Sequence, residues 1–380
     1  MTAPDDRGQA LTESQRLSWL QLARSENVGS ITFRRLIDHY GSAEDALHAL
    51  PDLSRRGGLR RQPRLCSRGD AEREMERAHH LGCLFIAACE PGYPQALRWA
   101  DGSPPLLAVR GDVAVLEKPS VSIVGSRNAS ITGLKIARAL ALGIGRAGYA
   151  VTSGLARGID AESHRAALAS GTIAVLAGGL DRPYPPQNIE LLEAICDGGA
   201  AVSEMPFGWA PRASDFPRRN RIIAGLSLGL VVVEAARKSG SLISARLAGE
   251  LGRLVFAVPG SPLDPRAKGT NDLIRDGAIL TTEAADIVQA LKPMGGGDQG
   301  ILNLEETETG PMVPAAPARS LTVDDRTRIV EALGPAPVDM DSIMRHTGLP
   351  PSEIYLALLE LDLAGRLERH PGGMVSVPPS

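Results

Sequence analysis

Four clusters in this 380-residue chain set small residues beside cations, a pairing that suits phosphate oxygens. Gly125-Ser126-Arg127 follows the apolar run at residues 121–124. Ser153-Gly154-Leu155-Ala156-Arg157-Gly158 follows a second such run at 149–152. Phe216-Pro217-Arg218-Arg219-Asn220-Arg221 leads into Ile222-Ile223-Ala224-Gly225. Arg237-Lys238-Ser239-Gly240-Ser241 comes after a strand pattern ending at Glu234. A Gly-Ser turn exposes backbone N–H groups, a helix start adds partial positive charge, and arginine adds a fork of donors. Ser239 or Ser241 is placed to cap the helix that follows. Arg127, Arg157, Arg218, Arg221 and Lys238 all belong to loops expected at one edge of a sheet. Several cations along an edge suit a polyanion better than a single nucleotide. The plainer reading is a set of charges facing water. Arginine at a helix start opposes the macrodipole, so a structural role explains these residues poorly.

Other chemistries fit less well. The first turn is not GxGxxG, and no acidic residue after the second strand is placed for a ribose hydroxyl. No GxxxxGK[ST] occurs; Gly133-Leu134-Lys135 falls too late, inside a helix. Asp160 and His164 lie one helical turn apart, a spacing that serves either a shared proton or a cap beside a surface contact. Ser153 and Ser241 have no His–Asp partner nearby in sequence. The seven histidines are scattered. The four cysteines, Cys66, Cys83, Cys89 and Cys196, form no CxxC pair. Neither a metal nor a cofactor is expected, and the thiols read as reduced and cytoplasmic. The N-terminus lacks a signal pattern, and no apolar stretch approaches the ~20 residues of a membrane span.

The elements that must position these clusters are legible as an alternation. Near-continuous apolar strands at 121–124, 149–152, 172–176, 200–203, 229–233 and 254–258 alternate with helical patterns. That implies a Rossmann-like α/β domain, a parallel sheet with helices on both faces. Residues 279–282 add an edge strand, and 83–88 and 106–110 also read as strands. Residues 1–10 look like a frayed leader. Short helices broken at Asn27-Val28-Gly29-Ser30 and Gly41-Ser42 resemble a sterile-alpha-motif or helix-hairpin-helix module, or a plain helical cap. Residues 51–69 read as a flexible basic loop with Arg55, Arg56, Arg60, Arg61, Arg64 and Arg68. Residues 292–319 have linker composition. Three helices and a hairpin after them, with Ser352 expected to cap the third helix, make a winged-helix pattern. The organisation is therefore 1–80 helical module, 81–291 Rossmann-like domain, 292–319 linker and 320–380 winged helix.

Net charge is −3 overall. Residues 120–291 hold 18 Lys+Arg against 15 Asp+Glu, while residues 320–380 hold 5 against 9. Of the four stretches 1–119, 120–291, 292–319 and 320–380, only 120–291 is net positive, and the last is the most acidic. An acidic winged helix is poorly suited to attract a polyanion, and contact with a partner suits it better.

GSRNAS, SGLARGID, AGGLDRPYPPQN, SEMPFG, FPRRNRIIAGLS, VVVEA, SGSLISARLA, GRLVFAVPG and KGTNDLIRDGA occur in this order. Together they closely resemble the DNA-processing protein A family, also called Smf, densely over about residues 80–291. The resemblance implies a single-stranded-DNA binder that is dimeric through the Rossmann-like domain and non-enzymatic. It implies a mediator that protects incoming strands in natural transformation and loads a RecA-type recombinase. By motif, Gly125, Ser126 and Arg127 would hold a phosphate. Ser153, Gly154, Arg157 and Gly158 would shape the neighbouring pocket, with Gly178 and Gly179 beside it. Arg218, Asn220 and Arg221 would line the strand's path, and Lys238, Ser239, Gly240 and Ser241 would close it. The alternative is a nucleotide-binding or nucleoside-monophosphate-hydrolysing enzyme. The same sheet architecture resembles that of the "lonely guy" phosphoribohydrolases, but their PGGxGTxxE motif is missing here.

Overall fold

The computed structural model describes residues 10–59, 61–100, 102–295 and 321–378. Residues 1–9 of the expected leader, Arg60 of the basic loop, and the expected linker from residue 296 onward lie outside the described residues. The described parts of Met1–Arg16 and Gly69–Gly297 form one compact unit, and those of Leu17–Arg68 and Asp298–Ser380 form another.

The chain opens with four helices: α1 (Glu13–Arg24), α2 (Ser30–Tyr40), α3 (Ala43–Arg56) and α4 (Arg68–His80). Then come β1 (Cys83–Ala87), α5 (Gln95–Arg98), β2 (Leu106–Gly111), β3 (Ser120–Val124), α6 (Ile131–Arg146), β4 (Ala150–Ser153) and α7 (Ile159–Ala167). They are followed by β5 (Thr172–Val175), α8 (Ile189–Gly198), β6 (Ala200–Ser203), α9 (Asp215–Leu226), β7 (Gly229–Val232) and α10 (Gly240–Glu250). The unit ends with β8 (Leu254–Ala257), α11 (Lys268–Arg275), β9 (Ile279–Leu280) and α12 (Ala284–Gly295).

The sheet order is β1-β2-β6-β5-β4-β3-β7-β8-β9. Seven neighbouring strands, β6 to β9 in that order, are mutually parallel, as the alternation predicts. The sheet is nonetheless mixed, because β1 and β2 join its edge antiparallel. Gly111 permits the join: its φ is +104°, and a Cβ there would sit 2.3 Å from the Gly199 carbonyl oxygen. Side chains alternate between the two faces of each strand. Leu230 and Val232 of β7 enter one core with Ile222 and Ile223 of α9. Val231 and Val233 enter the other with Leu140 and Ile144 of α6. Successive strands leave β3 in opposite directions, toward β4 and toward β7. A crevice therefore opens beyond the carboxyl end of β3, where ligands of such sheets bind.

The second unit joins the N-terminal helical module to a winged helix. Its later elements are α13 (Val323–Ala332), α14 (Met340–Thr347), α15 (Pro351–Leu363), β10 (Glu368–Arg369) and β11 (Val375–Ser376). A capping box of Thr322 and Asp325 starts α13. Pro350, not Ser352, occupies the cap position of α15; Pro351 follows as its first residue, where no backbone N–H is required. Val338 bridges to Val375 and widens the β10–β11 hairpin into a wing. The stretch expected as a flexible basic loop is partly helix, since α3 continues through Pro51 to Arg56. Arg61 is held by the Glu26 carboxylate, which that guanidinium lowers to a pKa of about 2.

Ile123 is completely buried in β3, between β4 and β7. Ile123→Ala is expected to lower the unfolding free energy by about 2–5 kcal/mol, read as a drop in the urea midpoint.

Candidate nucleic-acid interface

Two turns lock together at the carboxyl edge of β3 and β4. The Ile159 amide donates to the Ser126 carbonyl over 3.2 Å. Gly158 has φ +77°, and a Cβ there would lie 2.2 Å from that same oxygen. A Cβ on Gly125 would lie 2.7 Å from Ile159 Cγ1. Both glycines are thus required for the two arginine-bearing turns to touch. The Asn128 amide donates to Ser126 Oγ, 3.2 Å away, which folds the first turn back and leaves Arg127 exposed.

The second turn is braced from beneath. Ser153 is fully buried, and its hydroxyl donates to the Ile123 carbonyl at 2.6 Å. Leu155 holds a φ of +56°, rare for a branched residue, while Asn188 Nδ2 donates to its carbonyl at 2.9 Å. The Gly154 and Ala156 amides turn inward to Asp160 Oδ2, at 3.2 and 3.4 Å. These two N–H groups are therefore engaged by the protein itself, contrary to the expectation that the turn offers them to a phosphate. Burial raises the Asp160 pKa; Arg219 and the two amides act against it.

Arg219 is the residue that sequence reasoning passed over. It is 6% exposed, and its Nη1 donates to the Val175 carbonyl at 2.9 Å. A Cβ on Gly154 would come within 1.8 Å of that nitrogen, so only glycine lets the guanidinium lie under the turn. Burial lowers the Arg219 pKa to about 10, with Asp160 opposing; the side chain stays charged at neutral pH. The signal was present: Arg219 stands one helical turn before Ile223, on the inward face of α9.

Arg218 and Arg221 converge on Glu204, which follows β6. Arg218 Nε lies 2.9 Å from its carboxylate. Arg221 donates both to that carboxylate and to the Gly102 carbonyl. These two are thus tied to a protein anion, and Arg221 is largely enclosed. Asn220 is buried and reaches the Gly240 carbonyl at 3.4 Å. Gly178 and Gly179 are buried against the loop that follows β6: the Gly179 amide donates to the Trp209 carbonyl, and a Cβ on Gly179 would meet the Pro206 carbonyl oxygen at 2.4 Å. Their smallness serves packing.

The start of α6 is also occupied. Glu234, just beyond β7, accepts from the Ser130 amide at 3.0 Å and from its hydroxyl at 2.5 Å. An internal carboxylate thus fills the place a phosphate would take at that helix. The start of α10 is capped by Ser239, whose Oγ lies 2.7 Å from Ser241 Oγ, and Gly240 there is exposed.

Arg127, Arg157 and Lys238 remain exposed, and none of them forms a salt bridge among the described residues. They stand on the loops after β3, β4 and β7, three adjacent strands. Arg127 Cζ lies 5.4 Å from the centroid of the Phe216 ring, and Phe216 meets Tyr184 edge-on at 5.8 Å. Tyr184 is 50% exposed. A cation and two rings therefore form a row beside the turn, a surface on which a base can stack. Both aromatics lie inside motifs recognised in the sequence, yet their meeting depends on loops far apart in the chain.

The Asp160–His164 proton pair is not built. His164 is fully buried, with Nδ1 2.7 Å from Thr172 Oγ1. That hydroxyl donates to the Val151 carbonyl, so Nδ1 carries the proton and donates to it. Among the described residues no group of three or more His, Cys, Asp or Glu side chains is arranged to hold a metal.

The fold defines a Rossmann-like α/β protein with a helical N-terminal module and a winged helix, bearing cations along the carboxyl edge of its sheet. The family profile of DNA recombination-mediator protein A matches residues 84–292. A DprA-like N-terminal HHH domain matches 13–77, and a DprA winged helix domain matches 313–373. The chain belongs to the DNA-processing protein A family, also called Smf. It is 38% identical over 307 residues to protein Smf of Escherichia coli (strain K12), covering 78% of this chain and 77% of that one. It is 44% identical over 213 residues to DNA processing protein DprA of Bacillus subtilis (strain 168), covering 55% and 72%. The crystal structure of DprA from Streptococcus pneumoniae aligns with a TM-score of 0.60 at 33% identity, over 74% of this chain and 98% of that one. A structure describing the single-stranded DNA binding mode of DprA from Helicobacter pylori aligns with a TM-score of 0.52 at 28% identity, over 57% and 98%.

Burial pushes the His164 pKa down from 6.5 to about 3. The folded state thus resists protonation. Its contribution is complete above the ordinary pKa and is lost as pH falls from about 6.5 toward 3, at up to about 1.4 kcal/mol per pH unit. Asp160, raised by burial, acts with the opposite sign. Between pH 7 and pH 5, His164→Gln is expected to lose about 2 kcal/mol less stability than the parent, measured by urea unfolding at both pH values.

Proposed function

We propose that this protein binds single-stranded DNA along the carboxyl edge of its sheet, without catalysing a reaction on it. The observation that carries the reading is the trio Arg127, Arg157 and Lys238 on adjacent loops, without a carboxylate partner among the described residues, with Phe216 and Tyr184 beside Arg127. Neighbouring strands lie about 4.8 Å apart, so the three loops span more than one phosphate. A strand with successive phosphates and free base faces matches such a row; a stiff duplex offers its phosphates but hides its base faces. The single-stranded DNA binding described for the Helicobacter pylori relative supports the same reading. Membership in the family extends it: a dimer through the Rossmann-like domain, working in the cytoplasm, protects incoming strands during natural transformation and passes them to a RecA-type recombinase. The domain limits 1–80, 81–291, 292–319 and 320–380 serve that division of labour.

The hydrolytic alternative has less support. Glu234 is engaged at the start of α6, and His164 faces Thr172 inside the protein. Incubation with nucleoside monophosphates is expected to release no free base.

Salt titration on oligonucleotides tests the main reading. Single strands are expected to bind more tightly than duplexes of equal length, with little sequence preference. Arg127→Ala is expected to weaken binding similarly for all sequences and to reduce the magnitude of the salt slope by about one-half to one unit. Arg127→Lys restores part of the affinity, because lysine lacks the planar fork. Arg146, at the far end of α6 and so at the opposite edge of the sheet, is the control. An unchanged slope in Arg127→Ala, or a larger effect from Arg146→Ala, moves the site elsewhere.

A further inference from the structure

Helix α15 is apolar on more than one face. Ile354, Ala357, Leu358 and Leu361 pack into the winged helix's own core. Leu359 and Leu363 enter a different core, with Leu22 of α1, Phe33 and Leu36 of α2, and Leu50 and Leu53 of α3. A helix that is apolar all round requires cover on both sides. In a groove-reading helix-turn-helix or winged-helix module, the side of the last helix turned away from its own core meets DNA. Here that side carries Leu359, Asp362 and Leu363 and is covered by protein. The sequence of α15 contains no lysine or arginine, but it does contain Glu353, Glu360 and Asp362.

Polar contacts fix the register of this packing. Thr32 Oγ1 donates to Asp362 Oδ2 at 2.7 Å, and Arg369 Nη2 donates to the same oxygen at 2.7 Å. Asn27 Nδ2 donates to the Leu363 carbonyl at 2.9 Å. Arg366 Nη1 donates to the Gly57 carbonyl at 3.3 Å. Gly57 marks the closest approach: a Cβ there would lie 1.9 Å from the Glu360 carbonyl oxygen. Charge agrees with contact. Residues 17–68 hold nine Lys+Arg and five Asp+Glu, net +4, against five and nine, net −4, in residues 320–380.

The geometry points to a protein-docking role for the winged helix: its α15 face is a binding surface whose occupant is the helical module at the N-terminus of the same chain, latched by Asp362, and it does not read a DNA groove. This inference does not rest on the proposed single-strand site, which belongs to the other unit.

Hydrogen exchange and DNA binding on the full chain test it together. Asp362→Ala changes only the winged helix, yet is expected to speed amide exchange in α2 at least tenfold, with single- and double-strand affinities within twofold of the parent. Gly57→Leu changes only the N-terminal module, yet is expected to speed exchange in α15 by a similar factor. Glu44→Ala, in the exposed first turn of α3, is the control and leaves α15 unchanged. If Asp362→Ala misfolds the winged helix, Gly57→Leu still reports through α15. Unchanged exchange across the modules in both variants overturns the proposal. So does a severalfold change in duplex affinity in Asp362→Ala with α2 exchange unaltered.

Discussion

The buried contact between Arg219 and the turn after β4 is the constraint on which the edge of the sheet depends. A guanidinium at 6% exposure must be neutralised and hydrogen-bonded or it destabilises the fold. The Val175 carbonyl accepts from Nη1, and the nearby Asp160 carboxylate opposes the fall that burial imposes on the Arg219 pKa. The same Asp160 gathers the Gly154 and Ala156 amides, which bends the backbone over the arginine and forces Leu155 to a positive φ. That shape brings Gly158 against Ser126 and sets the Gly-Ser-Arg turn in place. Arg127 is thus positioned by a chain of contacts beginning at a residue largely hidden from solvent.

Around this anchor the protein separates two kinds of cation. Arg218 and Arg221 share Glu204, while Arg219 lies beneath the Gly154 turn on the Val175 carbonyl. Such pairs hold loops; removing one partner leaves an uncompensated charge. Arg127, Arg157 and Lys238 have no such carboxylate among the described residues and face water. The exposed cations at this edge are side chains, and the helix end nearest the first turn is filled by Glu234.

Much of this was legible in the sequence. The βα alternation marks each of the parallel strands, and the glycines at 125 and 158 announce turns that only a missing Cβ allows. What stayed hidden are pairings between distant segments. Nothing near Arg221 indicates Glu204, 17 residues earlier, or the Gly102 carbonyl. Ser130 and Glu234 are 104 residues apart. Local pattern reports which face a residue occupies but not which loop will meet it there. Arg219 shows the limit from the other side: its helical phase placed it inward, but its charge suggested outward. Likewise the leucines of α15 exceed what one small core can bury, a surplus visible in the sequence, although its cover lies some 300 residues away.

The sheet ends at β9, which is two residues long and pairs with β8 only through Ile279 and Leu280. A strand this short presents few free amides, so it is a poor template for growing a sheet from one molecule into the next. Any association across this border must rely on side-chain surface such as Leu280, 52% exposed, and stays a finite contact between closed bodies. The opposite outcome, an open-ended fibre templated strand upon strand, is discouraged by the brevity of a single element.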